Sequence, residues 1–219
     1  MDSVVLTIME IIGTVAFSIS GALVGISAGL DIFGVVFLGI VTSVGGGMLR
    51  DVLIGNLPPL IFSNQHIFII AAAVALFVFV IAYINKLRFN VIKEKLERVN
   101  NVFDAVGLSA FTVAGTEIAI LSGTSGGIIF AVVMGMLTGC GGGVFRDVLV
   151  SHTPYILKKH IYALASICGS IIYYLLVVYI NKNTVATVAA ISFIFLVRMV
   201  ATKFRWKLPK IILTEEKEK

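Results

Sequence analysis

Gly45-Gly46-Gly47-Met48-Leu49-Arg50-Asp51-Val52-Leu53 recurs 96 residues later as Gly141-Gly142-Gly143-Val144-Phe145-Arg146-Asp147-Val148-Leu149. Val36, Gly39, Thr42 and Pro58 likewise pair with Val132, Gly135, Thr138 and Pro154, giving 11 identities across the 24 positions 36–59. Such self-similarity marks an internal duplication. Each copy lies inside a strongly apolar segment, so the duplicated unit belongs in lipid.

Composition agrees. Of 219 residues, 58% are hydrophobic and 13% charged, and the mean hydropathy is +1.05. Soluble domains carry about 25% charged residues. A membrane span needs ~20 mostly apolar residues, and seven such segments appear at 4–27, 32–54, 66–84, 102–122, 127–150, 161–181 and 184–203. The connections are too short to hold a soluble catalytic domain. No cleaved signal peptide is expected, because no basic residue precedes the first span. Cys140 and Cys168 fall inside spans and read as buried thiols.

The net charge of +5 does not point to nucleic acid, because basic residues cluster just outside the spans. Lys86, Arg88, Lys93, Lys95 and Arg98 form one group, Lys158 and Lys159 a second, and Lys203, Arg205, Lys207 and Lys210 a third. Seven spans put all three groups on the face that carries the C-terminus. Basic loops stay in the cytoplasm, so the expected location is the cell (inner) membrane, N-terminus outside and C-terminus cytoplasmic.

Three spans separate equivalent points of the two copies. Three is odd, so the second copy enters the bilayer upside down. The expected fold is an all-α membrane protein of seven transmembrane helices: an inverted 3+3 repeat plus one C-terminal helix. Its parts are a first three-helix repeat (1–84), a basic cytoplasmic linker (85–101), a second, inverted repeat (102–181), a seventh helix (182–205) and a charged cytoplasmic tail (206–219). Ala16-Phe17-Ser18-Ile19-Ser20-Gly21 against Ala110-Phe111-Thr112-Val113-Ala114-Gly115 extends the repeat to the first and fourth spans at an offset of 94. The linker reads equally as a short surface helix, with Ile92, Leu96 and Val99 on one face, or as a solvated loop.

Glycine in a helix costs roughly 1 kcal/mol relative to alanine. Gly45, Gly46 and Gly47, with Gly141, Gly142 and Gly143, therefore mark kinks in the second and fifth helices, or places where two backbones approach closely. Interrupted spans at matched points of inverted halves favour kinks at a permeation site. Arg50, Asp51, Arg146 and Asp147 follow the triplets. Neighbouring helical residues point about 100° apart, so each Arg is not expected to pair well with the adjacent Asp. These charges either face two aqueous vestibules, or each Arg snorkels while its Asp caps a neighbouring helix. Thr42, Thr138, Ser18, Thr112 and Thr116 are candidate pore hydroxyls, with helix–helix hydrogen bonding the even alternative. Glu117 is a candidate cation attractor, and Glu10 lies closer to the surface. No nucleophile elbow, phosphate loop or metal-ligand spacing appears, so neither an enzyme nor a cofactor or metal site is expected.

On these residues the chain resembles the prokaryotic TRIC family, the trimeric intracellular cation channels, and the related bacterial inner-membrane proteins with a doubled GGG-x-x-RD motif. The resemblance covers nearly the whole chain. It implies a homotrimer in the lipid bilayer, a pore within each protomer, and second and fifth helices kinked at the glycines. It also implies permeation of K+ and, less selectively, Na+. The basic sequence of the animal members' fourth span is replaced here by Ala114-Gly115-Thr116-Glu117-Ile118. The expected function is a passive monovalent cation channel. The alternatives are a secondary transporter of a small solute, using a midplane site between the inverted halves, and a scaffold without transport.

Overall fold

The computed structural model describes residues 3–85, 93–124, 126–158, 161–181, 183–204 and 206. Within them, seven helices are long and apolar enough to cross a membrane: α1 (Ser3–Ser27), α2 (Ile32–Ile54), α3 (Gln65–Ile84), α4 (Lys93–Leu121), α5 (Gly127–Leu149), α6 (Ile161–Ile180) and α7 (Asn183–Lys203). The described residues contain no strand. In lipid a helix satisfies its own backbone, which is why apolar segments of this length take that form.

Local chemistry sets the ends of α2. The Asp31 side chain accepts from the Gly34 N–H at 2.8 Å, and Gly55 closes the helix with a left-handed φ of 87°. A short helical turn follows each motif helix, Leu60–Phe62 after α2 and Tyr155–Lys158 after α5.

Helix α4 is the centre of the bundle, packed against α1, α5, α6 and α7. Helix α3 lies at the periphery and buries only Ile67, Ala71, Ala75 and Ala82. Its Ile69, Phe77, Tyr83 and Ile84 point outward, a surface that acyl chains cover without cost. Helix α7 has no counterpart in the first half and packs on α4 and α6.

Reciprocal contacts relate the two halves. Phe17 and Phe111 are equivalent positions, and their rings meet at 5.3 Å between centroids. Gly13 leaves space filled by the Phe111 ring, and its equivalent Gly107 leaves space filled by Phe17. When residue i touches j and the equivalent of j touches the equivalent of i, a two-fold axis passes between them. Within each half the packing also repeats. Gly21 lies against Leu38 and Thr42, and Gly115 lies against Met134 and Thr138.

Two expectations change. Helix α4 starts at Lys93 rather than at 102, so the described part of the linker is the first turns of a spanning helix. Hydropathy missed this because 93–101 carries Lys93, Glu94, Lys95, Glu97 and Arg98 besides Asn100 and Asn101, yet both asparagines are buried inside the bundle. Cys140 is buried as expected, but Cys168 faces outward from α6, because a thiol is as compatible with acyl chains as with the protein interior. The basic groups at 86–92, Lys159, Lys182, Arg205, Lys207 and Lys210, together with His160 and the tail 207–219, lie outside the described residues.

Candidate functional site

Helix α2 stays helical through Gly45–Gly47 and α5 through Gly141–Gly143. The glycines interrupt the hydropathy, not the helix. Their clearest role is a crossing. A Cβ on Gly46 would collide with the Thr138 carbonyl, and one on Gly142 would collide with the Thr42 carbonyl. These contacts are again reciprocal, so the middle glycine of each triplet is where α2 and α5 touch backbone to backbone. The outer glycines differ. A Cβ on Gly141 would lie 3.0 Å from the Gly46 Cα, whereas one on Gly47 would meet nothing nearer than the Arg50 Nη2 at 3.7 Å.

The adjacent charges do pair, contrary to expectation. Arg50 donates from Nε and Nη2 to Asp51 Oδ1 at 2.9 and 2.8 Å, and Arg146 donates from Nε to Asp147 Oδ1 at 2.9 Å. The 100° offset limits short side chains, but the long arginine side chain reaches around the helix surface. The second carboxylate oxygen caps the turn that follows. Asp51 Oδ2 accepts from the Leu60 N–H and Asp147 Oδ2 from the Tyr155 N–H, both at 2.9 Å. The capping role considered for the aspartates is thus what they perform. The arginines do not snorkel, since both are buried.

In the second half these groups join a larger cluster fed by five helices. Arg146 Nη1 donates to Asp104 Oδ1 at 2.8 Å and to the Ser20 hydroxyl, which donates in turn to Asn100 Oδ1 at 2.7 Å. Arg198, from α7, approaches Asp104 Oδ2 at 3.7 Å and lies 4.6 Å over the Tyr162 ring. Two arginines and two aspartates balance formally. That balance is what allows charges to remain where an unpaired one is expensive.

The first half is built differently at the same place. Glu10 is the equivalent of Asp104, but it lines an opening together with Thr14, Ser43, Arg50, Asp51 and Asn64. This cavity has a volume of about 50 Å³, room for a few water molecules. Ser43 Oγ bonds the Thr14 carbonyl at 3.0 Å, tying α2 to α1.

The candidate hydroxyls are all buried. Thr42 donates to the Leu38 carbonyl and Thr138 to the Met134 carbonyl, each one turn back. Ser18 bonds the Ala71 carbonyl at 2.6 Å, and its equivalent Thr112 bonds Ser166 at 2.7 Å. Thr116 bonds Thr112 and Ser170. Ser18, Thr112 and Thr116 thus join helix to helix, while Thr42 and Thr138 bond within their own helices. Glu117 also turns inward, where its Oε2 accepts from the Tyr173 hydroxyl at 3.0 Å, so it faces no aqueous mouth.

A family model described as glycine transporter matches residues 7–83 and again 101–178, once for each three-helix half. The TRIC trimeric intracellular cation channel orthologue from Rhodobacter sphaeroides is 33% identical and superimposes with a TM-score of 0.82, over 92% of this chain and 99% of that one. The chain belongs to the TRIC family. A further structure, from work on conductance through TRIC cation channels, is 30% identical with a TM-score of 0.81, over 96% of this chain and 98% of that one. The inner membrane protein YadS of Escherichia coli K12, of the UPF0126 group, is 35% identical over 212 residues, 94% of this chain and 96% of its own length. This TRIC-family chain is therefore a seven-helix membrane protein with a cation-channel fold, and not an enzyme.

Sequence reasoning missed Asp104, Arg198 and Tyr162. Two signals were available. The offset of 94 aligns Asp104 with Glu10, and Arg198 is a charge inside an apolar segment, which normally has a buried partner.

Proposed function

We propose that the protein is a passive channel for monovalent cations, K+ and less selectively Na+, with a path inside each protomer between its inverted halves. The observation that carries this reading is the extensive likeness to cation-channel structures, 30% and 33% identical over nearly the whole chain. The polar opening beside Arg50 and Asp51 fits it, as do the charged motifs that flank the α2–α5 crossing. Conduction requires that crossing to loosen, because the Gly46 and Gly142 contacts leave no passage between the two backbones. Asp51 and Asp147 cancel the Arg50 and Arg146 charges that would otherwise repel cations, while hydroxyls and glycine carbonyls replace part of the hydration shell. The protein acts as a homotrimer in the inner membrane, N-terminus outside and C-terminus in the cytoplasm.

Single-channel recording of the purified protein in KCl and NaCl gradients tests this. Ohmic, cation-selective current is expected. A second reading, a carrier of a small solute, is favoured by the description of the matching family model, glycine transporter. Saturating uptake of labelled glycine into proteoliposomes, without ohmic current, would replace the channel by the carrier.

A further inference from the structure

We infer that the opening in the first half is a binding site for one partly dehydrated monovalent metal cation. Glu10 supplies the charge, and Thr14, Ser43 and Asn64 supply neutral oxygens. The inference rests on the cation-channel reading and assigns that reading an entry site.

Charge is the first argument. Arg50 donates twice to Asp51 Oδ1, and Asp51 Oδ2 holds the Leu60 N–H. That pair is neutral and internally satisfied, which leaves the Glu10 carboxylate as the net negative charge of the lining. Low-dielectric walls focus such a charge on whatever enters.

The second argument is a hydroxyl without a partner. Thr14 lines the same opening and is fully buried, and its Oγ1 has no hydrogen-bond partner. An orphaned buried hydroxyl is costly, and a coordinated cation satisfies its lone pairs directly. Ser43 adds to this. Its single hydroxyl proton is directed at the Thr14 and Gly39 carbonyls, so its oxygen lone pairs stay available as acceptors. Asn64 brings an amide oxygen from the loop. One carboxylate with two or three neutral oxygens is the ligand type that hard cations take.

The third argument is that the second half lacks the site at the equivalent place. Leu108 stands where Thr14 does, Gly139 where Ser43 does, and Asp104 lies between Arg146 and Arg198. Duplication alone would have given two equal mouths. Only the first half has oxygen ligands beside a carboxylate whose neighbouring arginine, Arg50, is already held by another acid, Asp51.

Thermal unfolding of the full chain in detergent, at constant ionic strength, tests the site without relying on current. The midpoint is expected to rise with KCl or NaCl but not with N-methylglucamine chloride. Glu10→Gln abolishes that rise. Thr14→Val, which removes only the oxygen, weakens the apparent affinity roughly tenfold, the size of one hydrogen bond to a charged group. If Glu10→Gln does not fold, Thr14→Val decides alone. A rise unchanged in the folded variants overturns the site, and so does a rise produced by glycine in place of the metal cation. Ohmic current from a wild-type protein that shows no cation-dependent rise also overturns the site, while the channel reading stands. A cation-dependent rise in a protein that carries no current supports the site and removes the channel.

Discussion

Asp104 and Arg146 meet at 2.8 Å across α4 and α5, and neither side chain is exposed. The contact ties together the two helices that carry most of the second half, and α7 leans on it through Arg198. Removing one member of a buried pair strands the other, at a cost of about 3–5 kcal/mol. Asp104→Asn and Arg146→Met should each destabilise the protein on that scale in detergent unfolding. Arg198→Met should cost clearly less, since Asp104 keeps Arg146 as its partner. Equal losses for Arg146→Met and Arg198→Met would show that the three groups act as one unit.

The glycines within a triplet should not respond alike. Gly46→Ala drives a methyl group into the Thr138 carbonyl, a backbone atom that cannot rotate away. Overpacking of this kind costs about 1–3 kcal/mol or more. Gly47→Ala has room and restores helix propensity, so it should be neutral or stabilising by up to roughly 1 kcal/mol. The difference in melting midpoint between the two variants measures the crossing. Similar midpoints would remove the backbone contact as the reason for the triplet.

Asp51 borders the opening while holding both Arg50 and the Leu60 N–H. Asp51→Asn keeps an oxygen for the cap but leaves the Arg50 charge uncompensated beside the opening. Under a KCl gradient, the reversal potential should move toward zero as cation preference falls. An unchanged reversal potential would separate Asp51 from the conduction path and leave it as a cap alone.

The placement of basic residues predicts the topology. A fluorescent protein fused to the C-terminus should fluoresce in intact cells, and alkaline phosphatase fused there should be inactive. The opposite pattern would reverse the proposed orientation and move the Glu10 opening to the cytoplasmic face.

The sequence alone determined the seven spans, the duplication and its inversion. Hydropathy over ~20 residues and the parity of intervening spans are local or countable properties. The triplets were visible as special positions, but their meaning stayed open. Only the folded bundle shows Gly46 and Gly142 each facing the other helix's threonine carbonyl, because backbone proximity depends on how two distant helices cross. The same holds for the charges. Helical angles suggested that Arg50 and Asp51 point apart, while side-chain length and burial bring them together. Asp104, Arg146 and Arg198 lie on three different helices. No spacing rule joins them, and tertiary packing alone made them neighbours, because charges excluded from lipid are stable only where the bundle supplies their counterions.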